Sequence, residues 1–373
     1  MRRSVRIIVE ERAAFTMIEL LVTLGIVSLL LSLALPSMFS ARASARRLAC
    51  QNNLRQVALA LLSHADQHNR LPAAGHFAAQ GSDQYHNWVI AILPYLDQTA
   101  LYIEYDLAQP AAAESNLKVT STSIPILVCP DDVSVVDGQG NLSYVVSGGL
   151  AWTIPVDCPA SLHADTSAVM IAPLDLNGDG EVCPVVLESS TSHSGNPKSA
   201  PLTDLACLEQ TSLFFVENWP AGTGTGRHHR LSDIQDGASQ TMLMTENVRA
   251  GYDPKEKFNW GSSEPSRSMF FVSSTVCEAG ICEPESVELG RANDAEHPLA
   301  RRECLNSSLH QAEGTAPWPS SGHPGVVNVA WCDGRVTVLS DRVDGGVYFA
   351  SVTPQGLSKP HPLAESVITD AAF

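Results

Sequence analysis

The sequence predicts an α+β protein: one long N-terminal helix packed on an antiparallel β-sheet, with large loop-rich insertions. Three observations predict it. Leu20 to Phe39 is a run of twenty residues without a charge. From Ser37 to Asn69 neither Gly nor Pro interrupts the chain, and apolar residues recur at steps of three and four. Beyond Leu71 the composition turns to Pro, Gly, Ser and short β-branched runs, which read as short strands and long loops.

The apolar run comes first. At about 1.5 Å of rise per residue it spans roughly 30 Å, the thickness of a bilayer core. Arg2, Arg3, Arg6 and Arg12 precede it, against Glu10 and Glu11. By the positive-inside rule that end stays in the cytoplasm, and the main domain lies outside, in the periplasm or at the cell surface. The rival reading is a core helix of a soluble protein. Its length, its apolar character on every side and its arginine flank argue against that. Ala41-Arg42-Ala43 and Ala43-Ser44-Ala45 also resemble signal-peptidase sites, which would release a soluble secreted protein, but the run is longer than a usual signal core. Glu19 sits at the rim of the run, where a carboxylate costs on the order of 2–3 kcal/mol toward the membrane centre. It is either solvated just outside the hydrocarbon or met by a positive partner.

The second half of the helix carries one apolar stripe: Leu48, Leu54, Val57, Ala58, Leu61, Leu62 and Ala65. Arg42, Arg46, Arg47 and Arg55 fall mostly elsewhere, the first three within reach of outer lipid headgroups. Asn69-Arg70-Leu71-Pro72 ends the helix. Further on, Trp88 to Tyr105 reads as a short helical stretch around Pro94. Near the C-terminus, Asp333-Gly334 separates two β-rich runs, a hairpin signal in which both turn residues take positive φ. A two-residue loop there sets Trp331 opposite Val336 and Val329 opposite Val338. Val327, Val329, Trp331, Val336 and Val338 then share one buried face.

Charge bounds the partners. The formal net charge is −17, divided into +4 over residues 1–50 and −21 over the rest. An acidic body repels phosphate backbones, so nucleic acid is not an expected partner. Nine cysteines without a C-x-x-C pair, behind an export segment, read as disulfides rather than zinc or thioredoxin-type sites. Cys277 and Cys282 enclose a short Gly-containing loop and form the first pairing expected. No nucleophile elbow, phosphate-binding loop, dinucleotide fingerprint or H-E-x-x-H occurs, so neither an enzyme nor a resident cofactor is expected. Asp175, Asn177 and Asp179 alternate as in the first half of a calcium loop, with Glu181 placed to offer its carbonyl. Val186 stands where a bidentate acid belongs, so the same residues also read as an Asx/Gly-rich turn. His228 and His229 have no acid or Cys at ligand spacing and read as a surface loop.

Two resemblances sharpen this. Phe15-Thr16-Met17-Ile18-Glu19-Leu20-Leu21 resembles the start of a mature type IV pilin or pseudopilin. The resemblance implies cleavage by a prepilin peptidase between Ala14 and Phe15, methylation of the new amine, and a Glu19 that pairs with a neighbouring subunit's amine during assembly. Pro36 resembles the proline that kinks pilin helices. The family usually has Gly before the cut, where this chain has Ala14. The chain then divides into a leader at 1–14, a transmembrane helix at 15–39, its amphipathic continuation at 40–70, and an extracytoplasmic domain at 71–373.

Cys50-Gln51-Asn52-Asn53-Leu54-Arg55-Gln56, the stretch from Trp88 through Leu93-Pro94-Tyr95-Leu96-Asp97-Gln98, Val128-Cys129-Pro130-Asp131-Asp132, Ile234 to Thr241, and His323 followed nine residues later by Asp333-Gly334 resemble a planctomycete-type pilin-like family with a domain of unknown function. That resemblance implies that Cys50 and Cys129 lie close, a second disulfide pairing. It leaves 150–230 and 250–320 as insertions. The implied function is a structural subunit of a pilus or secretion-type filament, with the lipid bilayer, a prepilin peptidase and copies of itself or related pilins as partners. The alternatives are a tethered extracytoplasmic binding protein that does not assemble, and a secreted enzyme.

Overall fold

The computed structural model describes residues 16–78, 83–150, 212–217, 228–250, 259–272, 293, 304–310 and 317–354. The fold is α+β. By contact density the chain divides into two units, Met1–Leu48 and Ala49–Phe373.

Helix α1 runs over Met17–His68 and passes through both units. Its start is a capping box. Thr16 Oγ1 accepts from the Glu19 backbone N–H at 3.3 Å, and Glu19 Oε2 accepts in return from the Thr16 backbone N–H at 3.0 Å. Its end is set by Asn69, at φ +54°, with the Arg70 N–H bonded to the Ala65 carbonyl at 3.2 Å. A left-handed residue followed by that backward bond closes a helix by satisfying a terminal carbonyl.

In the second unit, α1 buries Cys50, Leu54, Val57, Ala58, Ala60, Leu61, His64 and Ala65. This is the expected stripe apart from Leu48, which is exposed, and Leu62, which is partly buried. The chain continues through β1 (Gly75–Phe77) and β2 (Gln84–Asn87) into α2 (Trp88–Ile92), a 3-10 turn over Leu93–Leu96 and α3 (Thr99–Glu104). The helical reading of Trp88 to Tyr105 thus resolves into three short pieces. Pro94 occupies the first turn of the middle one, where its missing N–H costs nothing. Asn87 caps α2 by accepting from Val89 N and Ile90 N, while its amide donates to the Trp260 and Ser262 carbonyls, both at 2.8 Å.

After α4 (Glu114–Thr120) come β3 (Tyr144–Leu150), β4 (Val216–Glu217), β5 (Met242–Glu246), α5 (Pro265–Ser268), β6 (Met269–Val272), β7 (Val326–Trp331), β8 (Val336–Ser340) and α6 (Gly345–Ala350). The main sheet has the order β6-β3-β5-β7-β8. It is antiparallel except for the β3–β6 edge pairing, which is parallel. A smaller sheet has the order β2-β1-β4, with β4 parallel to β1. Strands β4 and β6 come from the stretches that read as insertions, and Val216 and Met269 to Val272 are buried. Leu54 and Leu61 of α1, Trp88, Tyr144, Phe270 and Val329 belong to one core.

The C-terminal hairpin forms at the expected place but one residue out of register. Ala330 pairs with Val336, Val329 with Thr337 and Val327 with Leu339. Only Gly334 takes positive φ, at +84°, and the Trp331 N–H reaches the Arg335 carbonyl. The connection is therefore one residue longer than a two-residue loop, and a slip of one residue turns the partner strand over. Val327, Val329 and Trp331 are buried as expected. Val338 is instead 38% exposed, Val336 is half-buried, and Leu339 is the buried residue of β8.

Candidate functional site

The helix of the first unit presents a continuous apolar surface. Leu20, Leu21, Leu24, Ile26, Leu29, Leu30, Leu33 and Phe39 are all at least half exposed in the single chain. Its hydroxyls are satisfied within the helix: Thr23, Ser28, Ser32, Ser37 and Ser40 each donate to the carbonyl three residues earlier at 2.8–3.0 Å. A serine bonded back to its own helix adds no polar demand that lipid would leave unmet. This is a candidate membrane span or signal sequence. Pro36 lies inside it, and the helix continues past it.

Glu19, singled out for its position, has a local role that its role in the pilin resemblance did not predict. It is the acidic half of the capping box, and its Oε2 also accepts from Thr16 Oγ1 at 2.8 Å. Oε1 takes no hydrogen bond among the described residues. The T-x-x-E spacing that carries the box is readable in the sequence. Ala14 and Phe15 lie outside the described residues, as do Cys277, Cys282 and the calcium-loop residues Asp175, Asn177, Asp179 and Glu181.

In the second unit the separated motifs converge on one buried cluster. Cys50, on α1, is disulfide-bonded to Cys129. His323 lies against that bond, with Nε2 3.5 Å from Cys129 Sγ and 3.5 Å from Glu246 Oε1. Its other ring nitrogen, Nδ1, is 3.0 Å from Asp131 Oδ2. Glu246, at the end of β5 and fully buried, accepts from the Asn328 backbone N–H at 3.1 Å and from the Asn328 amide at 3.0 Å. Gln51 donates to Asn328 Oδ1 at 3.0 Å, Asn53 donates to the Val128 carbonyl at 3.0 Å, and the Tyr144 hydroxyl donates to the Cys50 carbonyl at 3.2 Å. Asp132 accepts from Ser143 and Ser134. Burial raises its pKa, and those hydrogen bonds oppose the shift. Gly322 is required here, because a Cβ would collide with the Asp131 carbonyl.

The Cys50 motif, the Cys129-Pro130-Asp131-Asp132 motif and His323 therefore meet in space. The Ile234–Thr241 segment closes over the hairpin, where the Thr241 carbonyl accepts from Cys332 N at 3.0 Å and the Ser239 carbonyl from Arg335 Nη2 at 2.6 Å. A family model, SBP_bac_10, described as protein of unknown function (DUF1559), matches residues 39–346. The chain belongs to the DUF1559 family. No curated protein and no solved structure matches it.

This DUF1559 chain has a second polar cluster, at the small sheet, where the sequence predicted only a loop. Glu217, at the end of β4, is held between two histidines: Oε2 is 2.7 Å from His76 Nδ1 and Oε1 is 2.6 Å from His228 Nε2. The hydrogen bond from His228 is the main reason its pKa is held down to about 2, against the ordinary 4.5. His76 stacks on His86 with ring centroids 4.8 Å apart. Burial pushes His86 down to about 4, helped by the neighbouring His76. His64, stacked on His68 at 4.1 Å, is pushed down to about 4, again chiefly by burial. His228 is thus not the solvated loop residue that its sequence neighbours indicate, because β4 supplies its acid.

Proposed function

We propose that this protein is a pilin-like surface subunit, anchored by α1 in a lipid bilayer, with its globular domain outside the cytoplasm. In this reading a prepilin peptidase cuts between Ala14 and Phe15. The freed amine is methylated, and copies of the chain or related pilins associate through their apolar helices. The role is structural rather than enzymatic. The observation that carries the reading is the exposed apolar surface of α1 between Leu20 and Phe39, whose hydroxyls are internally satisfied and at whose rim Glu19 stands. Such a surface is stable only against lipid or against other helices. Glu19 keeps one carboxylate oxygen outside the capping box, so it can cap its own helix and face a neighbour's amine at once.

The test separates these two roles. Glu19→Gln keeps a capping oxygen and removes the charge, whereas Glu19→Ala removes both. Assembly is read by crosslinking through cysteines placed on the apolar helix, alongside mass spectrometry of the mature N-terminus. A methylated Phe15 together with loss of crosslinks in Glu19→Gln is the expected result. Wild-type crosslinking in Glu19→Gln removes the charge from the mechanism. A native chain with an uncut leader and no crosslinks leaves a tethered binding protein instead.

A further inference from the structure

Cys50, Cys129, Glu246 and His323 stand out chemically, because they are four ligand donors of three kinds brought together from four separate segments. One ligand atom from each lies within 4.8 Å of the other three, and all four residues are buried. We propose that, when the Cys50–Cys129 bond is reduced, this cluster binds one divalent transition-metal cation of the zinc type through two thiolates, one imidazole and one carboxylate. The inference stands independently of the pilin-like reading.

Three features support it. The donor set is mixed sulfur, nitrogen and oxygen, which suits a tetrahedral zinc-type ion better than a hard cation such as calcium or magnesium. The two non-sulfur donors are already oriented from behind. Asp131 Oδ2 sits 3.0 Å from His323 Nδ1, which leaves Nε2 directed at the sulfur. A carboxylate behind the far ring nitrogen is the usual support of a metal-bound histidine. Asn328 holds Glu246 through two N–H groups and is itself held by Gln51. Finally, Cys50 and Cys129 belong to the core, and Glu246 and His323 are buried beside them, so a bound ion would be shielded from water.

The chemistry balances through thiol–disulfide exchange. A dithiol reductant transfers two electrons and two protons to the Cys50–Cys129 bond, yielding two thiols while the dithiol closes to its own disulfide. Metal binding then releases the two thiol protons to water as the sulfurs ligate as thiolates. The disulfide and the metal are therefore alternative occupants of one site, and the oxidised protein has no metal site there.

The test uses the full chain in detergent, oxidised or reduced by a phosphine that does not chelate metal, titrated with Co²⁺ alone and then competed with Zn²⁺. The reduced protein should develop thiolate-to-cobalt charge-transfer bands with about one equivalent of metal, and the oxidised protein none. His323→Gln should abolish them. Asp131→Asn, which perturbs only the support, should weaken affinity about 10–100-fold. A thermal melt of the reduced chain should rise with Zn²⁺, while that of the oxidised chain should not. The proposal is overturned if reduced wild type shows no thiolate bands, if His323→Gln or Asp131→Asn binds as tightly as wild type, or if Zn²⁺ fails to stabilise the reduced chain.

Discussion

The two parts of helix α1 differ in pattern rather than in kind, and the difference leaves one exposed in the single chain and the other buried in its domain. Between Leu20 and Phe39 apolar residues occupy every side, and large ones remain exposed in the single chain. From Cys50 to Ala65 they occupy one stripe, and that stripe is part of the core. An all-round apolar helix needs lipid or other helices, whereas a striped one needs only its own domain. Backbone geometry is common to both, so side-chain placement alone decides which solvent each part requires.

The comparison breaks most sharply with a paired substitution. Leu61→Ala, in the fully buried stripe, should cost the globular domain about 2–5 kcal/mol in denaturant unfolding. Leu30→Ala, on the exposed surface, should leave domain stability within about 0.5 kcal/mol. Equal effects would erase the distinction. The disulfide belongs to the striped part: Cys50→Ala should lower stability by about 2–4 kcal/mol, measured under oxidising conditions.

Acid sharpens the comparison from the domain side. In the folded protein His64 and His86 resist protonation down to about pH 4, whereas the unfolded chain takes up protons near 6.5. Their contribution is therefore complete above pH 6.5 and is lost as pH falls toward 4, by about 2 kcal/mol after allowance for partial solvent access. Glu217 acts in a lower window. Its contribution is present above 4.5 and disappears as pH falls through about 2. Glu217→Gln should flatten the lower part of a stability–pH curve, and His86→Asn the upper part. The smallest effect belongs to the helix start. Thr16→Ala should cost about 1 kcal/mol of helix stability, seen as faster amide exchange over the first turn, with no change in domain unfolding.

Much of this was legible because it is periodic or local. The extent of α1, its stop at Asn69, the stripe from Leu54 to Ala65 and the presence of a hairpin at Gly334 all follow from patterns within a few residues. The hairpin register did not follow. It depends on whether Asp333 shares the left-handed conformation, and the chain instead gave that role to Gly334 alone and lengthened the turn. Strand β6, Met269-Phe270-Phe271-Val272, is a four-residue apolar run with no alternation, and such a run carries no period to read. His228 looked isolated because its acid, Glu217, stands on β4 beyond local ligand spacing, and only the fold brings the two side chains together.

The sequence by itself determined where the chain must leave water. Twenty uncharged residues and a stripe at helical spacing fix that through hydrophobicity alone, which depends on composition and period and not on distant neighbours. Only the tertiary structure decided which polar groups meet: Cys50 with Cys129, His323 between Asp131 and Glu246, and Glu217 between His76 and His228. Those encounters join residues outside one another's local sequence, and the packing of α1, the strands and the loops between them brings them within 4 Å.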